Sequence, residues 1–70
     1  MNKFNIEIGK KIRIIRKRRK YSQKKLGEIL GITFQQIQKY EKGTNKISFE
    51  NLLTICREFN IAINYFIEEN

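Results

Sequence analysis

Gln35 and Lys39, four residues apart in the stretch Phe34 to Lys42, are the side chains of this chain best suited to recognition chemistry. A glutamine amide both donates and accepts, so it can bond adenine bidentately at N6 and N7, and a lysine ammonium can donate to guanine O6 and N7. Thr33, Phe34 and Gln36 lie beside them; Phe34 suits either packing on thymine methyl groups or covering the start of a helix. Catalytic chemistry has no comparable set. The chain has no histidine, one cysteine (Cys56) and two serines, Ser22 and Ser48, both placed to cap helices. We therefore expect no catalytic residue, no metal site and no cofactor, since zinc would need several ligands that are absent. Cys56 lies between Leu52 and Phe59 on an apolar face, which favours a small core residue over an exposed, redox-sensitive thiol.

Gln35 and Lys39 share a face only if a helix carries them, and the flanking residues supply one. Thr33 caps it, Gln36 is the other half of a capping box, Ile32 and Ile37 form a hydrophobic staple, and Gly43 closes the helix after Lys42. Gln36 is thus divided between capping and reading bases. Ile37 and Tyr40 point to the core. Upstream, Ser22 caps an earlier helix in which Leu26, Ile29 and Leu30 recur at helical spacing until Gly31 stops it. Residues 22–43, SQKKLGEILGITFQQIQKYEKG, therefore form two short helices joined by a tight turn, the helix-turn-helix arrangement. Free backbone amides at a helix start bind phosphate, so Ser22 and Gln23 are candidate phosphate contacts.

The remaining chain supplies scaffold. Phe4, Ile8, Ile12 and Ile15 define an amphipathic first helix from about Asn5 to Lys20. Its other face carries Lys10, Lys11, Arg13, Lys17, Arg18, Arg19 and Lys20, a surface facing either phosphate or solvent. Tyr21 is placed to staple onto Leu26. Ile47, Ser48 and Leu52 open a fourth helix to about Phe59, with Leu52, Ile55, Cys56 and Phe59 inward. Asn60 ends it. Ile61 to Glu69 opens a fifth, with Ile61 and Phe66 as its staple and Ala62 at the capping position. Ile63, Tyr65 and Ile67 are left as a candidate dimer surface. The whole of 1–70 reads as one all-α, compact five-helix domain.

Charge divides this domain. The net charge is +8, but residues 1–46 hold 14 Lys or Arg against 3 acids, whereas residues 47–70 hold Arg57 against 4 acids. The basic part contains the helix-turn-helix, as expected of a surface that meets phosphates. No apolar run approaches the ~20 residues of a membrane span, and no apolar block follows Met1 to Lys3, so a cytoplasmic protein is expected.

Ser-Gln at 22 and 23, Leu26 followed by a small residue at 27, Gly31-Ile32 in the turn, Ile37, and Glu41-x-Gly43 closely resemble the phage-repressor (Cro and repressor) family of helix-turn-helix DNA-binding domains. The resemblance covers nearly all of the chain and implies a five-helix, lambda-repressor-like fold. It implies helix 34–42 in the major groove, with Lys42, Thr44, Asn45 and Lys46 on backbone phosphate. It also implies an ion pair between Arg16 and Glu41. The function implied is sequence-specific double-stranded DNA binding by a small transcriptional regulator, a repressor or autoregulator. An antitoxin that also binds a toxin, and a protein-interaction domain that kept the fold and lost the DNA, are the competing readings. Three positions depart from the family: Gly27 replaces the usual alanine, Phe34 stands where a polar reader is common, and Ala62 replaces a capping serine or threonine. One recognition helix touches three or four base pairs, too short a word to select one site among ~10⁶ or more competitors. A homodimer on an inverted-repeat operator is therefore expected.

Overall fold

Four helices of the computed structural model begin at a residue whose side chain accepts a bond from the first turn, and the fold is built between those starts. The structure describes residues 2–68. In chain order the helices are α1 (Lys3–Arg18), α2 (Gln23–Leu30), α3 (Phe34–Lys42), α4 (Phe49–Phe59) and α5 (Asn64–Ile67). Ser22, Thr33 and Ser48 each accept from the backbone N–H three residues on, at 2.9, 3.3 and 3.1 Å. Asn2 caps α1 in a similar way, its Oδ1 accepting from Phe4 N–H at 2.7 Å. The first helix thus starts at Lys3, two residues before the expected Asn5, because Asn2 is itself a good cap.

The four long helices end alike. Tyr21, Ile32, Thr44 and Ile61 N–H groups reach back five residues to the carbonyls of Arg16, Gly27, Lys39 and Cys56. This closure puts the preceding residue in the left-handed region: Lys20 (φ 60°), Gly31 (72°), Gly43 (77°) and Asn60 (54°). α1 accordingly stops at Arg18 rather than running to Lys20. Lysine has no compensation for that conformation, which costs an L-residue ~1–2 kcal/mol, part of which glycine returns as unfolded-chain entropy. Lys20→Gly is expected to stabilise the domain by ~0.5–1 kcal/mol and to raise the melting temperature by ~2–8 °C. A lower melting temperature by circular dichroism would contradict that reading of the turn.

α1 lies across α3 and also contacts α5, while α2 packs on α3 and, less extensively, on α4. The core is formed by Ile8, Ile12 and Ile15 of α1, Leu26 of α2, Ile37 and Tyr40 of α3, Ile47, Leu52, Ile55, Cys56 and Phe59 from the α4 region, and Phe66. Cys56 is buried, and that burial pushes its thiol above the usual cysteine range. At the α1–α3 crossing, a Cβ on Gly9 would lie 2.2 Å from the Tyr40 carbonyl oxygen. Gly27 is similarly enclosed, 2.7 Å from the Ile32 carbonyl oxygen, so the turn is closed more tightly than the alanine usual at this position would allow.

Three expectations are corrected. Phe4 does not continue the inward stripe of α1; it is 52% exposed, because it stands in the first turn beyond the edge of the core. Tyr21 packs edge-on against Phe59 and donates its hydroxyl to Glu58 at 2.7 Å, tying the α1–α2 turn to α4; this bond raises its pKa. The fifth helix is one turn, Asn64–Ile67, with no side-chain cap. Ala62 has no acceptor to hold a first turn at Ile61, and Glu69, its expected end, lies outside the described residues. Phe66 is buried, while Ile63 and Tyr65 are half-buried against the core, which leaves Ile67 as the exposed member of the expected dimer surface. Phe4 and Ile67 line one shallow groove with Phe49, itself 65% exposed, so the free apolar surface is a patch shared by α1, α4 and α5.

Candidate nucleic-acid interface

Thr33, Phe34, Gln35, Lys39 and Lys42 are exposed or partly so along the outer edge of α3, whereas Ile37, Tyr40 and Glu41 are buried. α3 thus turns one edge outward, and Gln35 and Lys39 stand on it one turn apart. Gln36 enters the cap through its backbone, its N–H donating to Thr33 Oγ1, and no bond from Thr33 N–H to the Gln36 side chain accompanies it among the described residues. Its amide is therefore not committed to a capping box. Phe34 is 43% exposed, so part of its ring covers the helix start and part faces outward.

The loop after α3 is strapped to that helix. The Lys39 carbonyl accepts from Thr44 N–H at 3.1 Å, from Asn45 N–H at 3.4 Å and from the Thr44 hydroxyl at 3.2 Å. Lys42, Thr44 and Lys46 are exposed and Asn45 is half-buried, so the loop's polar groups move with Lys39 as one piece.

Beneath the edge sits a buried ion pair. Arg16 Nε donates to Glu41 Oε2 at 2.6 Å and Arg16 Nη2 to Oε1 at 3.1 Å, with the two side chains 8% and 3% exposed. A third donor of the same guanidinium, Nη1, reaches the Tyr21 carbonyl at 2.8 Å. Glu41 Oε1 also accepts from Gln23 Nε2 at 3.2 Å. One carboxylate therefore joins α1, the α1–α2 turn, the first residue of α2 and the last turn of α3. Its consequence is positional: Gln23 is held against α3 by its own amide rather than left to sweep through solvent.

The cationic face of α1 is not uniform. Lys11 donates to the Glu68 carbonyl at 3.3 Å, and Arg19 donates to the Phe59 carbonyl at 2.6 Å with its guanidinium 5.5 Å from the centre of the Phe59 ring. Both serve the fold. Arg13 is different: its Nη1 lies 3.8 Å from Glu41 Oε1 while its side chain stays 53% exposed. The sequence carries a signal for this, since Arg13 and Arg16 are three residues apart and share a helix face.

Residues 12–66 match the helix-turn-helix family, and the chain belongs to that family in its Cro and repressor branch. An HTH-type transcriptional regulator of Sinorhizobium medicae is 48% identical over 68 residues, covering 97% of this chain and 49% of the relative. The chain thus spans about half the length of that protein. The antitoxin PezA of Streptococcus pneumoniae is 36% identical over 55 residues, 79% of this chain and 35% of the antitoxin. Among solved structures, the P22 c2 repressor in complex with a synthetic operator superposes with a TM-score of 0.79 at 27% identity, over 90% of this chain and 96% of the repressor. The five-helix, lambda-repressor-like fold expected above is the one observed.

Proposed function

We propose that this domain binds double-stranded DNA sequence-specifically, as the reading head of a transcriptional regulator acting in the cytoplasm. The exposed edge of α3 carries the proposal: Gln35 and Lys39 stand on a helix whose opposite face is fixed in the core. In this reading α3 enters the major groove, Thr33, Phe34, Gln35, Gln36 and Lys39 meet base edges, and Ser22, Gln23, Lys42, Thr44, Asn45 and Lys46 meet phosphates. The operator is an inverted repeat bound by two copies. No helix among the described residues is long and apolar enough to cross a membrane.

Two sets of substitutions separate reading from positioning. Gln35→Ala and Lys39→Ala are expected to cost ~1–3 kcal/mol each on the best site and much less on random DNA. Equal losses on both duplexes would remove them from the readers. Lys42→Ala and Lys46→Ala are expected to weaken all DNA alike, each making the log-log salt dependence shallower by ~0.9 as one neutralised phosphate is given up. An unchanged slope would place those lysines off the backbone.

A further inference from the structure

Glu41 carries one negative charge and faces two guanidinium groups. Arg16 satisfies it fully, bonding both oxygens from a buried position. Arg13 sits outside hydrogen-bond distance, 3.8 Å from Oε1, with half its side chain in solvent. An exposed ion pair of that geometry is worth little, so Arg13 can exchange Glu41 for another anion at small cost, and the carboxylate it leaves stays neutralised by Arg16.

The place of Arg13 says which anion. The Glu41 oxygen it faces is the one that accepts from Gln23 Nε2 at 3.2 Å, so guanidinium and amide converge on one atom beside the first residue of α2. The α1-side cations tied to the fold, Lys11, Arg16 and Arg19, are bonded to Glu68, to Glu41 and Tyr21, and to Phe59 respectively. Arg13 is the partly free one that its approach to Glu41 ties to this corner. A planar guanidinium matches phosphate oxygens bidentately, which an ammonium does not. Resting on the DNA-binding reading above, we propose that Arg13 is a further phosphate-contacting residue, held at the edge of the interface by Glu41 and passed to the same backbone phosphate that Gln23 meets.

The test is DNA binding followed by fluorescence anisotropy from ~50 to 200 mM salt, on the best selected duplex and on a random one. The proteins are the wild type, Arg13→Gln, Arg13→Lys and Arg57→Gln, the last removing an equal charge from an exposed site on α4. Arg13→Gln is expected to flatten the log-log slope by ~0.9 and to weaken both duplexes about five- to ten-fold at ~0.15 M salt. Its melting temperature should stay close to that of the wild type. Arg13→Lys should keep the wild-type slope, and so should Arg57→Gln. A wild-type slope in Arg13→Gln, or equal flattening in Arg57→Gln, would overturn the assignment while leaving DNA binding intact. Failure of the folded wild type to bind either duplex would overturn both.

Discussion

Glu41→Ala is expected to lower the melting temperature by ~15 °C or more, a loss of ~3–5 kcal/mol. The carboxylate is 3% exposed and is the acceptor that Arg16 Nε and Nη2 and Gln23 Nε2 share. Removing it strands a buried guanidinium, and that desolvated charge, more than the lost attraction, sets the cost. A small domain has only ~5–15 kcal/mol in total, so the variant should be largely unfolded at 37 °C. Arg16→Ala should be the milder change, because the bared Glu41 still has Gln23 bonded to it and Arg13 at 3.8 Å, free enough to close in. The double alanine variant should lose less than the sum of the two, since each single change exposes the partner the other would remove. Simple additivity in thermal melts, or equal damage from the two single variants, would contradict this description of the pair.

Gly9→Ala is the second large effect, and its sign separates packing from propensity. Glycine inside a helix costs about 1 kcal/mol relative to alanine, so propensity alone makes the substitution stabilising. The structure gives the opposite result: the new methyl would meet the Tyr40 carbonyl oxygen at 2.2 Å and that of Glu41 at 2.9 Å. Both are backbone atoms, so relief requires α1 and α3 to move apart, which also stretches the bonds from Arg16 to Glu41. Overpacking of this kind costs ~1–3 kcal/mol or more, and we expect a net loss of ~3 kcal/mol. A melting temperature equal to or above that of the wild type would show that the crossing is looser than described. Gly27→Ala should act in the same direction but more weakly, since its clash with the Ile32 carbonyl oxygen is shallower, at 2.7 Å.

Glu41 and Gly9 also mark where a linear reading of the chain stops. Ser22, Thr33 and Ser48 are legible as caps because a cap is a local device, one side chain bonding a backbone group three residues on. Gly31, Gly43 and Asn60 are legible as helix ends for the same reason. Lys20 is not, because lysine gives no hint of the left-handed conformation that the closing bond from Tyr21 to Arg16 imposes. Gly9 sits in the interior of an amphipathic pattern, and nothing local says that a second backbone passes over it. Phe4 and Tyr21 depart from expectation because helical spacing gives the direction of a side chain but not where the neighbouring helices end. The fifth helix is shorter than its pattern implies because apolar spacing persists through Ile67 while the missing cap at Ala62 counts against it only in three dimensions. As for the candidate site, the outward residues of α3 follow from periodicity. The convergence of Arg13, Arg16 and Gln23 on Glu41 joins three helices and is visible in full only in the fold.

Selection of bound duplexes from a random DNA library tests most directly whether the exposed edge of α3 reads base sequence. Run side by side on the wild type and on Gln35→Ala, it is predicted to enrich an inverted repeat for the wild type, with half-site centres one helical turn (~10 base pairs) apart. For Gln35→Ala the same repeat should emerge with base preference relaxed at one symmetric pair of positions. A folded wild-type protein that enriches no sequence above the starting library would contradict base reading by α3.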